Sequence, residues 1–350
     1  MEYDTTLTRT ELDRIVAEIE PAWRVRMAEA TPSDVGHHVV YRLDIETPDG
    51  ERACYLKATP PEKDGMVDLE ARLLALLEAR TDLPVPTVYG VVDAHDELPA
   101  PFLLLEAVNG DATPRIDPST VSPAAHRRLA RDTGRCLARL HEIDAVDAYG
   151  FLARDEAPLD GGRPGGTPDS LTVADPVTDW RERLREWTTE TVAGLEASRF
   201  ADLAPEAEAT LDARIDDLDG PFDPVLARVD QSLENVLADE DGLTGLIDWE
   251  FTVAATPAYD LVHVGYGLAG GPFVFAPTVA DRRSTVFEAL LDGYAERDPD
   301  RATQARTNWG CYELLFVLRA MTNLTEWFPM VGLGEQTDEA AAALRTEVSL

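Results

Sequence analysis

A chain of 350 residues, 44% of them hydrophobic, can bury a sizeable core and form two lobes, which excludes a disordered or fibrous polypeptide. Its 31 lysines and arginines stand against 66 aspartates and glutamates, and the resulting formal charge of −35 disfavours a nucleic-acid partner, whose phosphates need a basic patch. No apolar run is long enough to span a bilayer, the first residues lack the basic and apolar regions of a signal peptide, and Cys54, Cys136 and Cys311 have no metal-type spacing, so a cytoplasmic protein with reduced thiols and no membrane partner is expected.

In chain order, residues 24–30 (RVRMAEA) read as a first strand, leading through TPSDVGH into residues 38–47 (HVVYRLDIET). Pro48-Asp49-Gly50 turns the chain into residues 51–59 (ERACYLKAT), so the second and third strands form a hairpin. Residues 67–80 (VDLEARLLALLEAR) place Leu69, Leu73, Leu76 and Leu77 at helical spacing. Two more strands, VPTVYGVVD and PFLLLEAV, end at a turn marked by Asn109-Gly110. Beyond it Ser122 and Pro123 start a helix as N-cap and first residue, with Leu129, Thr133, Cys136, Leu137 and Leu140 on one face. Residues 161–169 (GGRPGGTPD) read as a flexible surface loop, and the chain beyond residue 251 reads as helical. The expectation is an α+β fold of two lobes: a small antiparallel-sheet lobe over 1–108 and a larger, mainly helical lobe over 109–350.

The segment LARVDQSLENVLADEDGLTGLIDWEF (226–251) carries the chemistry. Two apolar-rich runs flank Asp241-Gly242, a strong hairpin signal. If those two residues form the loop, Asn235 faces Asp248 across the ladder, with Cβ atoms roughly 4.5–5.5 Å apart. Asp230 lies just upstream. An amide oxygen, a carboxylate pair, a Lys on the third strand (Lys57) and a Glu on the next helix (Glu70) share a logic. Phosphoryl transfer asks for positioning, a cation on the nucleotide phosphates, a hard cation held by oxygens, and a carboxylate to accept a hydroxyl proton.

Asp230-x-x-x-x-Asn235, with Asp248 thirteen residues further on, resembles the catalytic and metal loops of the protein-kinase-like fold. LARLHEID, LIDWE, TPAYDL with Asp260, and EARLLALLEARTDLPVPTVYGV narrow the resemblance to the aminoglycoside phosphotransferase and choline kinase group, from about residue 33 to 260. That resemblance implies a kinase using ATP and Mg²⁺ on the hydroxyl of a small molecule. Lys57 would hold the α/β-phosphates and Glu70 would orient it. Ser33 and Gly36 would lie in the segment covering the phosphates, and backbone groups from Glu106 to Val108 would meet adenine. Asp230 would be the base, Asn235 and Asp248 the metal ligands, and Asp260 an anchor beneath the catalytic loop. The chain departs from the family in having Arg228 where a His is usual, QSLE between Asp230 and Asn235, and Gly36 as the one glycine of the nucleotide loop. Ser232, where protein Ser/Thr kinases carry Lys, speaks against protein substrates. A fructosamine-kinase-like enzyme and a nucleotide-binding pseudokinase scaffold are the alternatives.

Scarcity separates the functional reading from the structural one. Lys57 and Lys63 are the only lysines, and asparagine occurs only at 109, 235, 308 and 323, whereas any acidic pair arises easily in this chain. Lys63 reads as a solvated loop charge, and Glu78 on the same helix is the exposed counterpart of Glu70. His141 reads as a packed, hydrogen-bonded residue; the aromatics Trp309, Tyr312, Trp327 and Phe328 read as core, with a substrate-pocket lining as the other reading. The Arg-over-Lys usage with abundant acids resembles proteins of salt-loving archaea, for which dense carboxylates maintain hydration; an acidic face for a cationic partner is the other reading.

Overall fold

Period-two alternation builds the first sheet. The computed structural model describes residues 7–31, 38–60, 66–114, 116–348 and 350. After helix α1 (Arg9–Ile19), strands β1 (Arg24–Thr31), β2 (Val39–Thr47) and β3 (Gly50–Ala58) run antiparallel. The β2–β3 hairpin closes with Thr47 opposite Gly50, so Pro48 and Asp49 form its two-residue turn. Tyr41, Leu43 and Ile45 of β2 and Cys54 and Leu56 of β3 share a core with Leu12, Ile15 and Val16 of α1. Helix α1 is not among the elements expected from the sequence. Its signal was there in Thr8 and Glu11, which cap each other reciprocally and satisfy the first free N–H groups.

Helix α2 (Val67–Arg80) follows, then β4 (Val88–Val92) and β5 (Phe102–Glu106), giving a five-stranded sheet in the order β1-β2-β3-β5-β4. One compact unit contains these elements together with residues 152–172 and 245–251. The stretch expected as a flexible loop is instead bonded to β4: Val91 N–H donates to Gly162 O (3.1 Å), Gly161 N–H to Val91 O (2.9 Å) and Asp93 N–H to Leu159 O (2.9 Å). Gly161, at φ +90°, lets the backbone approach α1 so closely that a Cβ there would lie 2.3 Å from Glu18 O. A buried ion network lies just before this stretch, where Asp93 also accepts the Leu159 N–H. Arg72 of α2 donates two parallel bonds to Asp93 (2.8 and 2.6 Å), and Arg154 reaches the same carboxylate at 2.8 Å.

The second unit comprises residues 110–151, 173–244 and 252–350. Its elements begin with β6 (Asp111–Ala112) and α3 (Pro123–Leu140), where Ser122 accepts the Ala125 N–H as predicted. In chain order come β7 (Tyr149–Arg154), β8 (Leu171–Val177), α4 (Trp180–Glu196), α5 (Ala204–Asp216), β9 (Val225–Ala227), β10 (Val236–Ala238), β11 (Leu243–Leu246) and β12 (Val253–Ala255). The chain then continues through α6 (Pro257–Ala269), α7 (Arg283–Ala295), α8 (Pro299–Met330) and α9 (Thr337–Glu347). The expectation of helix beyond residue 251 therefore holds only after β12, which pairs with both β7 and β9.

Aromatic rings fill this unit's core. Trp180 packs against Tyr149, Trp187, Tyr259 and Tyr312, and its Nε1–H donates to the Tyr312 hydroxyl at 2.9 Å. Tyr312 and Phe328 are fully buried, as the core reading of that helix requires, whereas Trp309 and Trp327 on the same helix are half-buried. All three cysteines are free and buried, and burial pushes the Cys54 and Cys311 thiols up to about 12. Among the described residues no helix is long and apolar enough to cross a membrane.

Candidate active site

Strand alternation on β3 buries Leu56 and Ala58 in the sheet's core and turns Lys57 to the opposite face. There its Nζ meets Glu70 of α2 at 2.9 Å and Asp248 at 2.7 Å, with Glu250 at 3.4 Å. Burial disfavours the ammonium charge, but attraction from Glu70, Asp248 and Glu250 outweighs it and holds the Lys57 pKa above the ordinary lysine value. Glu70 is only 1% exposed, and burial, opposed by Lys57, raises its pKa. Its two oxygens divide the work: one accepts from Lys57, the other accepts the Trp249 N–H at 3.0 Å. Glu70 thus aligns the lysine and the Asp248 segment together. Glu78, two turns along the helix, bonds instead to Arg163 and the Thr87 hydroxyl.

Asp248 has φ +62°, in the left-handed region that non-glycine residues adopt rarely and at a cost of about 1–3 kcal/mol. Neighbouring bonds hold it there: Trp249 is buried with its indole N–H on Leu246 O (2.9 Å), and Leu246 N–H donates to Pro84 O (2.7 Å). The twist leaves the Asp248 side chain 37% exposed beside the nearly buried Lys57. Glu250, which the sequence analysis did not single out, hydrogen-bonds to His38, whose Nδ1 meets the Thr59 hydroxyl at 3.0 Å. At the end of β5, Glu106 N–H donates to Thr87 O and Ala107 N–H to Ala53 O; Val108 follows, half-buried. Ser33, Gly36 and Lys63 lie outside the described residues.

In the second unit β9 delivers the chain to buried Arg228 and then to Asp230, whose neighbours Gln231 and Ser232 are buried while Asp230 itself is exposed. Asn235 is buried at the end of a single 3₁₀ turn, its N–H on Ser232 O (3.1 Å) and its amide nitrogen on Asp230 O (3.4 Å). Helix α6 seats this loop: a Cβ on Gly267 would lie 1.7 Å from the Gln231 carbonyl oxygen. The helix is fixed in turn by Asp260, which with Tyr294 holds His141 at 2.9 Å on each side. His141 is packed and hydrogen-bonded, as read from the sequence.

The hairpin register differs from the expected one. Asp239 N–H donates to Gly242 O (2.9 Å), so Glu240 and Asp241 occupy the loop, not Asp241 and Gly242. The cause is Asp239, whose carboxylate accepts the Asp241 and Gly242 N–H groups at 2.8 and 3.2 Å and draws that residue into the turn. Asn235 sits in the 3₁₀ turn before β10 and Asp248 lies beyond the end of β11, so the predicted ladder pair between them does not form.

Glu70, Asp248 and Glu250 each place a carboxylate oxygen within 4.8 Å of the others. Oxygen donors of this kind suit a hard divalent cation such as Mg²⁺. Lys57 supplies an ammonium that can donate a charge-assisted hydrogen bond to an anionic ligand, while the three carboxylates around it leave the cluster net negative until a cation joins it.

The sequence profile of the phosphotransferase enzyme family matches residues 32–305. Among solved structures, the chain resembles a thermostable mutant of aminoglycoside phosphotransferase APH(4)-Ia in ternary complex with ADP and hygromycin B, with TM-score 0.59, 13% identity, and 97% and 100% of the two chains covered. It also resembles macrolide 2′-phosphotransferase MphH from Brachybacterium faecium (TM-score 0.53, 18% identity, 95% and 97% covered). A third likeness is to APH(2″)-IIa in complex with gentamicin (TM-score 0.55, 14% identity, 97% of each chain covered). These likenesses establish the shared α+β fold.

Proposed function

This chain belongs to the phosphotransferase enzyme family, and from that premise we propose that it transfers the γ-phosphoryl group of ATP, with Mg²⁺, to a hydroxyl of a small molecule. The observation that carries the proposal is Lys57 bonded at once to Glu70 at 2.9 Å and to Asp248 at 2.7 Å. A strand lysine oriented by a helix glutamate, beside a carboxylate held in a strained backbone conformation, is the equipment phosphoryl transfer uses to bind nucleotide phosphates. In this reading Lys57 contacts phosphate, Glu70 orients it, and Asp248 and Asn235 hold Mg²⁺, which when bound neutralises charge on the phosphates. Asp230, exposed at the tip of a loop fixed from beneath by Gly267, accepts the proton of the attacking hydroxyl. Backbone groups from Glu106 to Val108 receive the base, and Ser33 and Gly36 belong to the segment over the phosphates. In this reading residues 1–108 serve as the nucleotide lobe and 109–350 as the catalytic and substrate lobe, although residues 152–172 and 245–251 pack into the same compact unit as the first of these.

Solved relatives of this fold hold hygromycin B and gentamicin, which supports a hydroxylated acceptor of antibiotic or metabolite size. We further place the protein in the cytoplasm of a cell with high internal salt, on its reduced thiols and its charge of −35. The test is ATP consumption with a panel of aminoglycosides, amino alcohols, sugars and glycated amines at molar KCl, with Lys57→Ala as control. Acceptor-dependent turnover that Lys57→Ala abolishes supports the proposal. Nucleotide binding with no turnover on any acceptor favours the pseudokinase reading instead.

A further inference from the structure

The ammonium of Lys57 has three N–H donors. Glu70 and Asp248 engage two of them at 2.9 and 2.7 Å. The third is the one available to a phosphate oxygen, and Glu250 is poised to take it. Its Oε2 lies 3.4 Å from Nζ, longer than the 2.7–2.9 Å of a full charge-assisted bond. The same Oε2 atom is hydrogen-bonded to Nε2 of His38. Since a carboxylate only accepts, Nε2 carries the proton of that bond. The His38 ring is itself fixed: it is buried, its Nδ1 is on the Thr59 hydroxyl at 3.0 Å, and Thr59 is pinned through its N–H to Pro101 O at 2.9 Å. Among the described residues, His38 and Lys57 are the cationic or potentially cationic groups within 4.0 Å of Glu250.

We infer that His38 is a positioning residue for nucleotide binding: by holding Glu250 Oε2, it keeps that carboxylate from closing onto Lys57 and reserves the third N–H for phosphate. The inference rests on the proposed role of Lys57. The chemistry requires it because Glu250 is nearly buried. A buried carboxylate that loses its donor seeks another, and the nearest is the ammonium less than 1 Å beyond bonding range. Three carboxylates would then saturate Lys57, and each phosphate contact would have to displace one. Glu250 acts here as the competitor and His38 as its restraint.

The test is calorimetric titration of ATP in a chelator, which isolates the ammonium–phosphate contact from any metal, beside steady-state kinetics with Mg²⁺. His38→Ala is expected to weaken metal-free ATP binding about tenfold and to raise the KM for ATP more than it lowers kcat. His38→Gln, which keeps an N–H donor, loses less. Glu250→Gln alone does not weaken metal-free binding, and His38→Ala combined with Glu250→Gln returns affinity to about that of Glu250→Gln, because the competitor has been neutralised. A purely structural role for His38 would not give that rescue. Unchanged affinity in His38→Ala, or a loss that persists in the double variant, overturns the inference. If His38→Ala does not fold, weakened metal-free binding by Glu250→Gln overturns it on its own. A wild-type chain that binds no ATP sinks the role of Lys57, and this inference with it, whereas wild-type binding with no effect of His38 sinks this inference alone.

Discussion

Replacing Gly267 with alanine tests whether α6 positions the loop that carries Asp230. The added methyl would lie 1.7 Å from the Gln231 carbonyl oxygen, 2.8 Å from its carbon and 3.6 Å from the Ser232 nitrogen. Non-bonded heavy atoms rest at about 3.5–4.0 Å, so the loop or the helix must give way by roughly 2 Å. Both sides are backbone and α6 is buried on nearly every face, so no side chain can rotate out of the way. Overpacking of this kind costs about 1–3 kcal/mol of stability, and displacement of a catalytic group by about 1 Å costs on the order of 100-fold in rate. Gly267→Ala should therefore fold, melt lower, and lose about 100-fold or more in kcat while its affinity for nucleotide changes little. Gly310→Ala is the matched control. It also sits in a helix, its Cβ would meet only Arg214 at 3.7 Å, and it should be neutral or slightly stabilising. The assays are thermal melting, ATP titration and steady-state kinetics on both variants. A Gly267→Ala protein that is destabilised yet keeps wild-type kcat would refute the seating argument.

Arg72→Met removes the two-bond partner of the buried Asp93 carboxylate but leaves it Arg154 and the Leu159 N–H, so it should cost about 1–3 kcal/mol in urea unfolding; no loss would show the two bonds to be dispensable. If the acidity is a salt adaptation, the melting temperature should climb as KCl rises from dilute to molar, because screening relieves carboxylate repulsion; equal stability at low salt points instead to an acidic partner-binding face. Burial in the aromatic core, reinforced by the nearby Arg319 charge, lowers the His263 pKa to about 3. Below the unfolded value of about 6.5 the unfolded chain binds a proton that the folded chain refuses, so stability should fall as pH drops from about 6.5 toward 3. His263→Gln should flatten that slope, and an unaltered slope would assign it to other groups.

Much of this architecture was legible where the signal was local or scarce. Helix α2 spans residues 67–80 as read from its leucine spacing, and α3 begins at the Ser122-Pro123 cap. Lys57 and Glu70 meet as the resemblance implied, and Lys57 stood out because lysine is almost absent from the chain. Glu250 had no such contrast, since one more carboxylate among 66 acids carries no signal until the fold brings it to Lys57 and His38. Strands β9 and β12 have three residues each, too few to show a period, and are held by their neighbours. The DEDG turn failed for a specific reason: two acidic residues could cap it, and the side chain of Asp239 decided the register. Residues 161–169 looked flexible because glycine and proline mark loops, yet Gly161 is there to let the backbone approach α1.

Binding and turnover measured together separate the proton acceptor from the metal ligand. ATP is titrated with and without Mg²⁺ into Asp230→Asn and Asp248→Asn, and turnover is measured on the same preparations. Both variants should lose turnover, Asp230→Asn keeping its Mg²⁺-dependent affinity for ATP and Asp248→Asn losing it, with Asn235→Ala falling between because a neutral amide oxygen is the weaker ligand. Equal loss of Mg²⁺-dependent affinity in Asp230→Asn and Asp248→Asn, or full activity in either, would contradict this division of roles.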